Sequence, residues 1–124
     1  MAKVLLVEDD DIQRMTYRRF LELERHTVTD VVDGEAALKV FASDPRFDIV
    51  VTDVLMPKLD GSGLIYDLRK IRPDLPILAI SAGRRVLSSA FALASASFAG
   101  STVELPKPIS RQDLKQAIER MLKT

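Results

Sequence analysis

Short runs of apolar, largely β-branched residues alternate along this chain with longer segments whose apolar positions recur at helical spacing. The runs fall at Lys3 to Val7, Thr27 to Val32, Phe47 to Thr52, Pro76 to Ser81 and Thr102 to Leu105. The first, third and fourth are continuously apolar, as expected of central strands covered on both faces. Such alternation predicts βαβ units and an α/β fold with a parallel sheet.

Between the runs, Ile12, Met15, Phe20 and Leu23 predict the apolar stripe of a first helix. Ala36, Leu38, Val40 and Phe41 predict a second, opened by Asp33 as a cap. Leu64, Ile65, Leu68 and Ile71 predict a third, which Pro73 ends. A fourth, rich in alanine and serine, is expected over Arg85 to Ala99, with Gly100 suited to its exit. The last opens on Ser110-Arg111-Gln112-Asp113, an acidic capping box, and turns Leu114, Ile118, Met121 and Leu122 inward. Five strands and five helices result, with no repeat and no linker.

The 124 residues fit one domain, 1–124. Apolar residues make up 47% and charged residues 29%, a balance that supports an independent core. Lys plus Arg equals Asp plus Glu at 18 each, so no net field draws the chain to nucleic acid or an anionic membrane. Cysteine is absent, which excludes disulfides and thiolate chemistry and agrees with a cytoplasmic location. The uncharged stretch Val86 to Val103 has the length of a membrane span, but its serines, threonine and glycine argue against one. No export signal is evident at the start.

Right-handed crossovers carry the C-terminal ends of parallel strands to one edge of the sheet. Glu8-Asp9-Asp10-Asp11, Asp53, Ser81 and Lys107 stand at four of the five predicted ends. Carboxylates gathered at one point repel unless a cation compensates, and Mg²⁺ suits a set of oxygen ligands that includes phosphate. Lys107 adds a second cation and Ser81 a hydroxyl donor. These groups predict a site that accepts a phosphoryl group on Asp53 by positioning and charge stabilisation.

The chain resembles the receiver domains of two-component response regulators. The resemblance covers essentially all 124 residues. It rests on Val7-Glu8-Asp9, Asp53-Val54-Leu55-Met56-Pro57 with Asp60-Gly61, Ser81-Ala82 and Lys107-Pro108, in that order. It implies a flavodoxin-like (βα)5 fold with a doubly wound five-stranded parallel sheet of order 2-1-3-4-5. It further implies that Asp53 is the phosphoacceptor, with Asp9, Asp53 and the backbone carbonyl of Leu55 on Mg²⁺ and Glu8 reaching the metal directly or through water. Ser81 matches the family's switch hydroxyl and Lys107 its lysine, with a cis bond to Pro108. Of the remaining acidic residues, Asp10 and Asp11 fall past the matched pair and suit the first turn of the following helix. His26 is expected on the surface, and Arg84-Arg85 carry little information.

The implied partners are a sensor histidine kinase or a histidine phosphotransfer protein, and a downstream protein bound through the fourth helix, fifth strand and fifth helix. A homodimer is compatible with this and direct nucleic-acid binding is not. The domain is expected to be no turnover enzyme, catalysing only its own phosphorylation and dephosphorylation. With no effector domain after Lys123-Thr124, output is expected through protein binding unless the chain is a fragment. The main alternative is a scaffold of the same fold that is never phosphorylated. A flavodoxin-like cofactor site would need Gly, Ser and Thr where the first loop is acidic, and an aspartate-nucleophile phosphatase would need a carboxylate where Leu55 stands. The chain departs from the family pattern at Glu104, where an aromatic switch residue is usual, at Pro106, which suggests an edge strand, and in a longer Ser81 to Lys107 interval.

Overall fold

The computed structural model describes residues 1–54, 61–81 and 103–123, with the backbone alone at 61, 62 and 81. Within them lie β1 (Lys3–Val7), α1 (Asp11–Leu23), β2 (Thr27–Val31), α2 (Gly34–Ser43), β3 (Ile49–Asp53), α3 (Gly61–Ile71), β4 (Ile77–Ser81), β5 (Val103–Pro106) and a C-terminal helix, α4 (Arg111–Leu122). The helix expected over 85–99, with Gly100, Ala82, Arg84 and Arg85, lies outside the described residues, as do Leu55, Met56, Pro57 and Asp60.

All five strands are parallel, in the order β2-β1-β3-β4-β5. This is the doubly wound, flavodoxin-like arrangement, and its switch point lies between β1 and β3. The three strands with continuous apolar runs are the three central ones. Their alternate residues feed two cores: Leu5, Val7, Val50, Ile77 and Ala79 pack with Phe41, Leu64, Ile65 and Leu68 of α2 and α3. Val4, Leu6, Ile49, Val51, Leu78 and Ile80 pack on the other face with Tyr17, Leu21, Leu114 and Ile118 of α1 and α4. Pro106 ends β5, which is the sheet edge the proline suggested.

Helix ends follow the local chemistry. Asp10 caps α1 by accepting from Gln13 N–H, Asp33 caps α2 by accepting from Ala36 N–H, and Ser110 with Asp113 forms the reciprocal box that opens α4. α3 stops at Ile71, two residues before Pro73. α1 differs from the expected stripe. Ile12 and Met15 are 77% and 70% exposed and Leu23 is also exposed, while Tyr17 and Leu21 are buried and Phe20 is partly buried. The buried pair is Tyr17-Leu21, four residues apart; Ile12, Met15 and Leu23 sit around the cylinder from it, so apolar character alone does not mark the buried face. Likewise Ile71 and Leu122, at the last turns of α3 and α4, are exposed because the core ends before the helices do.

The turn after α1 gives His26 a structural role that the sequence did not suggest. Arg25 adopts a left-handed backbone (φ 68°), and His26 N–H closes on Leu21 O at 3.1 Å. The half-buried His26 ring then accepts Ala2 N–H at Nδ1, 3.0 Å away, tying the start of β1 to this turn. Burial, followed by the positive N-terminus, holds the imidazole pKa below its ordinary 6.5, against the pull of Glu24 and Glu119. A histidine depressed in the folded state contributes stability that is present above 6.5 and lost as pH falls below it. Because His26 is the only histidine, NMR can follow its titration directly. It is expected to titrate below the unfolded chain's value, with thermal stability declining in step; titration at or above 6.5 would mean that Glu24 and Glu119 outweigh its burial.

Candidate functional site

The C-terminal ends of β1, β3 and β5 meet at one edge of the sheet. β1 delivers Glu8, whose N–H donates to Val31 O at 3.1 Å and whose side chain is fully buried (0% exposed). β3 delivers Asp53 as its last residue, 1% exposed; the next residue, Val54, continues the ladder to Ile80 O at 2.9 Å. Lys107 follows β5 and reaches back across the edge. Its side chain is only 7% exposed, with Nζ 2.8 Å from Asp53 Oδ2 and 3.0 Å from Glu8 Oε1. The Lys107–Pro108 bond is cis, as the resemblance implied.

Asp9 completes the acidic set. One carboxylate oxygen each from Glu8, Asp9 and Asp53 falls within 4.8 Å of the others, close enough to share one metal ion. Asp9 Oδ1 is buried and, among the described residues, accepts no hydrogen bond. A buried, unpartnered carboxylate oxygen beside two further carboxylates is the donor set of a hard cation, so the residues fit a divalent metal. Ser81 ends β4, opposite Pro106 in the β4–β5 register, which places it on the same edge.

Charge inside the site is tightly balanced. Burial, reinforced by the neighbouring negative Asp53, pushes the Glu8 carboxyl up to about 7, against the opposing pull of Lys107 and of Asp10 N–H, which donates to Glu8 Oε2 at 3.1 Å. For Lys107, burial favours the neutral amine, but its bond to Asp53 and the charges of Asp53 and Glu8 outweigh burial and raise its pKa. Lys107 is therefore held as an ammonium between Glu8 and Asp53, all three side chains nearly fully buried.

Two neighbours were not singled out in the sequence. The Tyr17 ring of α1 faces Lys107 Nζ, 5.9 Å from the ring centroid. Arg14 donates from Nη1 to the Glu8 carbonyl at 3.0 Å. Their signal was weak: Tyr17 falls on the buried row of α1 that the apolar stripe obscured, and Arg14 reads as one more surface cation. Glu104 lies in β5 opposite Ala79, with a buried Oε2 that has no hydrogen-bond partner among the described residues. Leu55, the expected carbonyl ligand, lies outside the described residues.

A doubly wound sheet carrying three carboxylates and a buried lysine at its switch-point edge defines a phosphoacceptor-type signalling domain. The comparisons agree, and the chain belongs to the response regulator receiver domain family, which it matches over residues 4–119. It is 37% identical over 122 residues to response regulator MprA of Mycolicibacterium vanbaalenii, covering 98% of this chain and 51% of that protein. It shows the same 37% identity over 122 residues to sensor kinase CckA of Brucella abortus, of which it covers 12%. The chain thus spans about half the length of the one relative and far less of the other. Among solved structures, a response regulator receiver domain from Clostridium thermocellum superposes with a TM-score of 0.89 at 25% identity, covering 98% of this chain and 94% of that one. The Vibrio cholerae chemotaxis protein CheY4 gives 0.87 at 27% identity, covering 98% and 99%. Among the described residues no helix is long and apolar enough to cross a membrane.

Proposed function

We propose that Asp53 accepts a phosphoryl group from a phosphohistidine on a sensor histidine kinase or a histidine phosphotransfer protein. The observation that carries this is the buried Lys107 ammonium bridging Asp53 and Glu8 beside the orphaned Asp9 oxygen. An Asp53 carboxylate oxygen attacks phosphorus, the P–N bond breaks with its electron pair passing to the imidazole, and an acyl phosphate forms on Asp53. Lys107 stands close enough to Asp53 to take a phosphoryl oxygen, and Ser81 at the end of β4 takes another. Glu8, Asp9 and Asp53 would hold Mg²⁺, with the Leu55 carbonyl that the family resemblance implies, and the ion would neutralise charge shared by the carboxylates and the phosphoryl group.

Phosphorylation adds about −1.5 to −2 charge at this edge, beside the ends of β4 and β5, and so changes what the neighbouring face binds. Glu104, in place of an aromatic residue, leaves a carboxylate in β5. The domain acts in the cytoplasm, turns over nothing but its own phosphoryl group, and signals to a downstream protein.

Incubation with Mg²⁺ and a small-molecule phosphodonor, or with a phosphorylated histidine kinase, followed by intact-mass measurement, tests the reading. One base-labile, hydroxylamine-sensitive phosphoryl group per chain is expected, and none when a chelator is present from the start. No labelling with any donor would favour the scaffold of the same fold.

A further inference from the structure

We propose that Arg14 is a positioning residue for the metal-binding loop, clamping the Glu8–Asp9 peptide in the orientation that Mg²⁺ needs; this rests on the metal reading above. The loop from β1 to α1 carries four consecutive acidic residues, whose mutual repulsion works to open it. Its side-chain restraints are local: Asp10 caps α1 and its N–H donates to Glu8 Oε2. Arg14, on the first turns of α1, closes over the loop from outside and spends three separate nitrogens on it. Nη1 donates to the Glu8 carbonyl at 3.0 Å, Nε to Asp30 Oδ2 of β2 at 3.1 Å, and Nη2 to Asp11 Oδ1 at 2.7 Å.

The three contacts are unequal. Asp11 is 80% exposed, so its pairing with Arg14 holds little. Asp30 is the anchor: it is paired with Leu6 in the sheet and is gripped by Arg18 as well as by Arg14, so the guanidinium is fixed to the rigid β1–β2 ladder. From that anchor its fork holds one carbonyl. The Glu8 carbonyl shares its peptide plane with Asp9 N–H, so fixing the carbonyl fixes the plane from which the Asp9 carboxylate departs. Arg14 therefore touches neither the metal position nor Asp53, and acts through Asp9.

Electrostatics and positioning make opposite predictions. Removing a positive charge beside an acidic site raises its affinity for Mg²⁺ by Coulomb's law alone, whereas loss of a supporting hydrogen bond to a metal loop typically lowers affinity 10- to 100-fold. Titration of Arg14→Gln with MgCl₂, followed by amide NMR shifts or calorimetry, is expected to show at least about tenfold weaker binding. Arg14→Lys, which keeps the charge without the planar fork, should fall between it and the unaltered chain. Arg18→Gln, which also strips a cation from Asp30 but leaves the Glu8 carbonyl bond, should bind Mg²⁺ as tightly as the unaltered chain or more so. Thermal midpoints in chelator separate the affinity change from lost stability. Unchanged or tighter Mg²⁺ binding by Arg14→Gln overturns the inference. If that variant does not fold, Arg14→Lys decides: weaker binding supports the clamp and unaltered binding overturns it. An unaltered chain that binds no Mg²⁺ overturns the metal reading, and the clamp with it.

Discussion

Asp53→Asn is expected to abolish phosphoryl uptake, lowering the labelling rate by roughly 10³-fold or more, the scale seen when a nucleophile is removed outright. The change is nearly isosteric, and the amide oxygen still accepts from Lys107 Nζ, so the fold should survive. An amide is a poor nucleophile at phosphorus, and it is also a weaker ligand than a carboxylate. Asp9→Asn separates these two effects. It removes a carboxylate whose Oδ1 is buried and unpartnered, yet leaves Asp53 and its ion pair with Lys107 in place. Slow labelling that rises again with Mg²⁺ concentration is expected for Asp9→Asn, and no recovery at any Mg²⁺ concentration for Asp53→Asn. Labelling of Asp53→Asn at an appreciable fraction of the normal rate would move the acceptor to another carboxylate, with Glu8 and Asp9 as the candidates.

The sequence carried the architecture because central strands declare themselves. β1, β3 and β4 read as near-unbroken apolar runs between turn-rich segments, the pattern of strands buried on both faces. Once the sheet is parallel, crossover handedness brings Glu8, Asp53 and Lys107 to one edge, so the site followed from topology before any distance was known. The detail that escaped belongs to side chains whose role depends on a partner far away in sequence. Ile12 and Met15 look like core residues until Tyr17 and Leu21 are seen to fill that space. Arg14 is a surface cation in the sequence and a clamp in the structure, because β2 brings Asp30 beside it. His26 reads as a turn residue, and only the register Lys3↔Thr27 brings the start of β1 close enough for Ala2 N–H to find its ring. Lys107 lies beside Asp53, and its near-complete enclosure is not visible from spacing.

That enclosure sets the second large effect. Lys107→Met keeps an aliphatic stem and deletes only the ammonium, taking its compensating charge from two nearly fully buried acidic side chains, Glu8 and Asp53. Removing one partner of a buried ion pair costs about 3–5 kcal/mol, because the remaining charge is left uncompensated. In chelator the variant should therefore lose roughly 10 °C of thermal midpoint, taking about 3 kcal/mol and the usual scaling for a domain of this size. Millimolar Mg²⁺ should recover much of the loss, and proportionally more than it stabilises the unaltered chain, since a cation is restored where one was removed. Function should not recover in parallel. With its fold restored by Mg²⁺, the variant still lacks a fixed donor beside Asp53, and phosphoryl uptake should remain on the order of 10²-fold slower. A methionine variant as stable in chelator as the unaltered chain, and labelled at the same rate, would mean that Lys107 is a bystander to both carboxylates. Stability lost while labelling stays normal would confine it to charge balance, and leave recognition of the phosphoryl group to Ser81 and the metal alone.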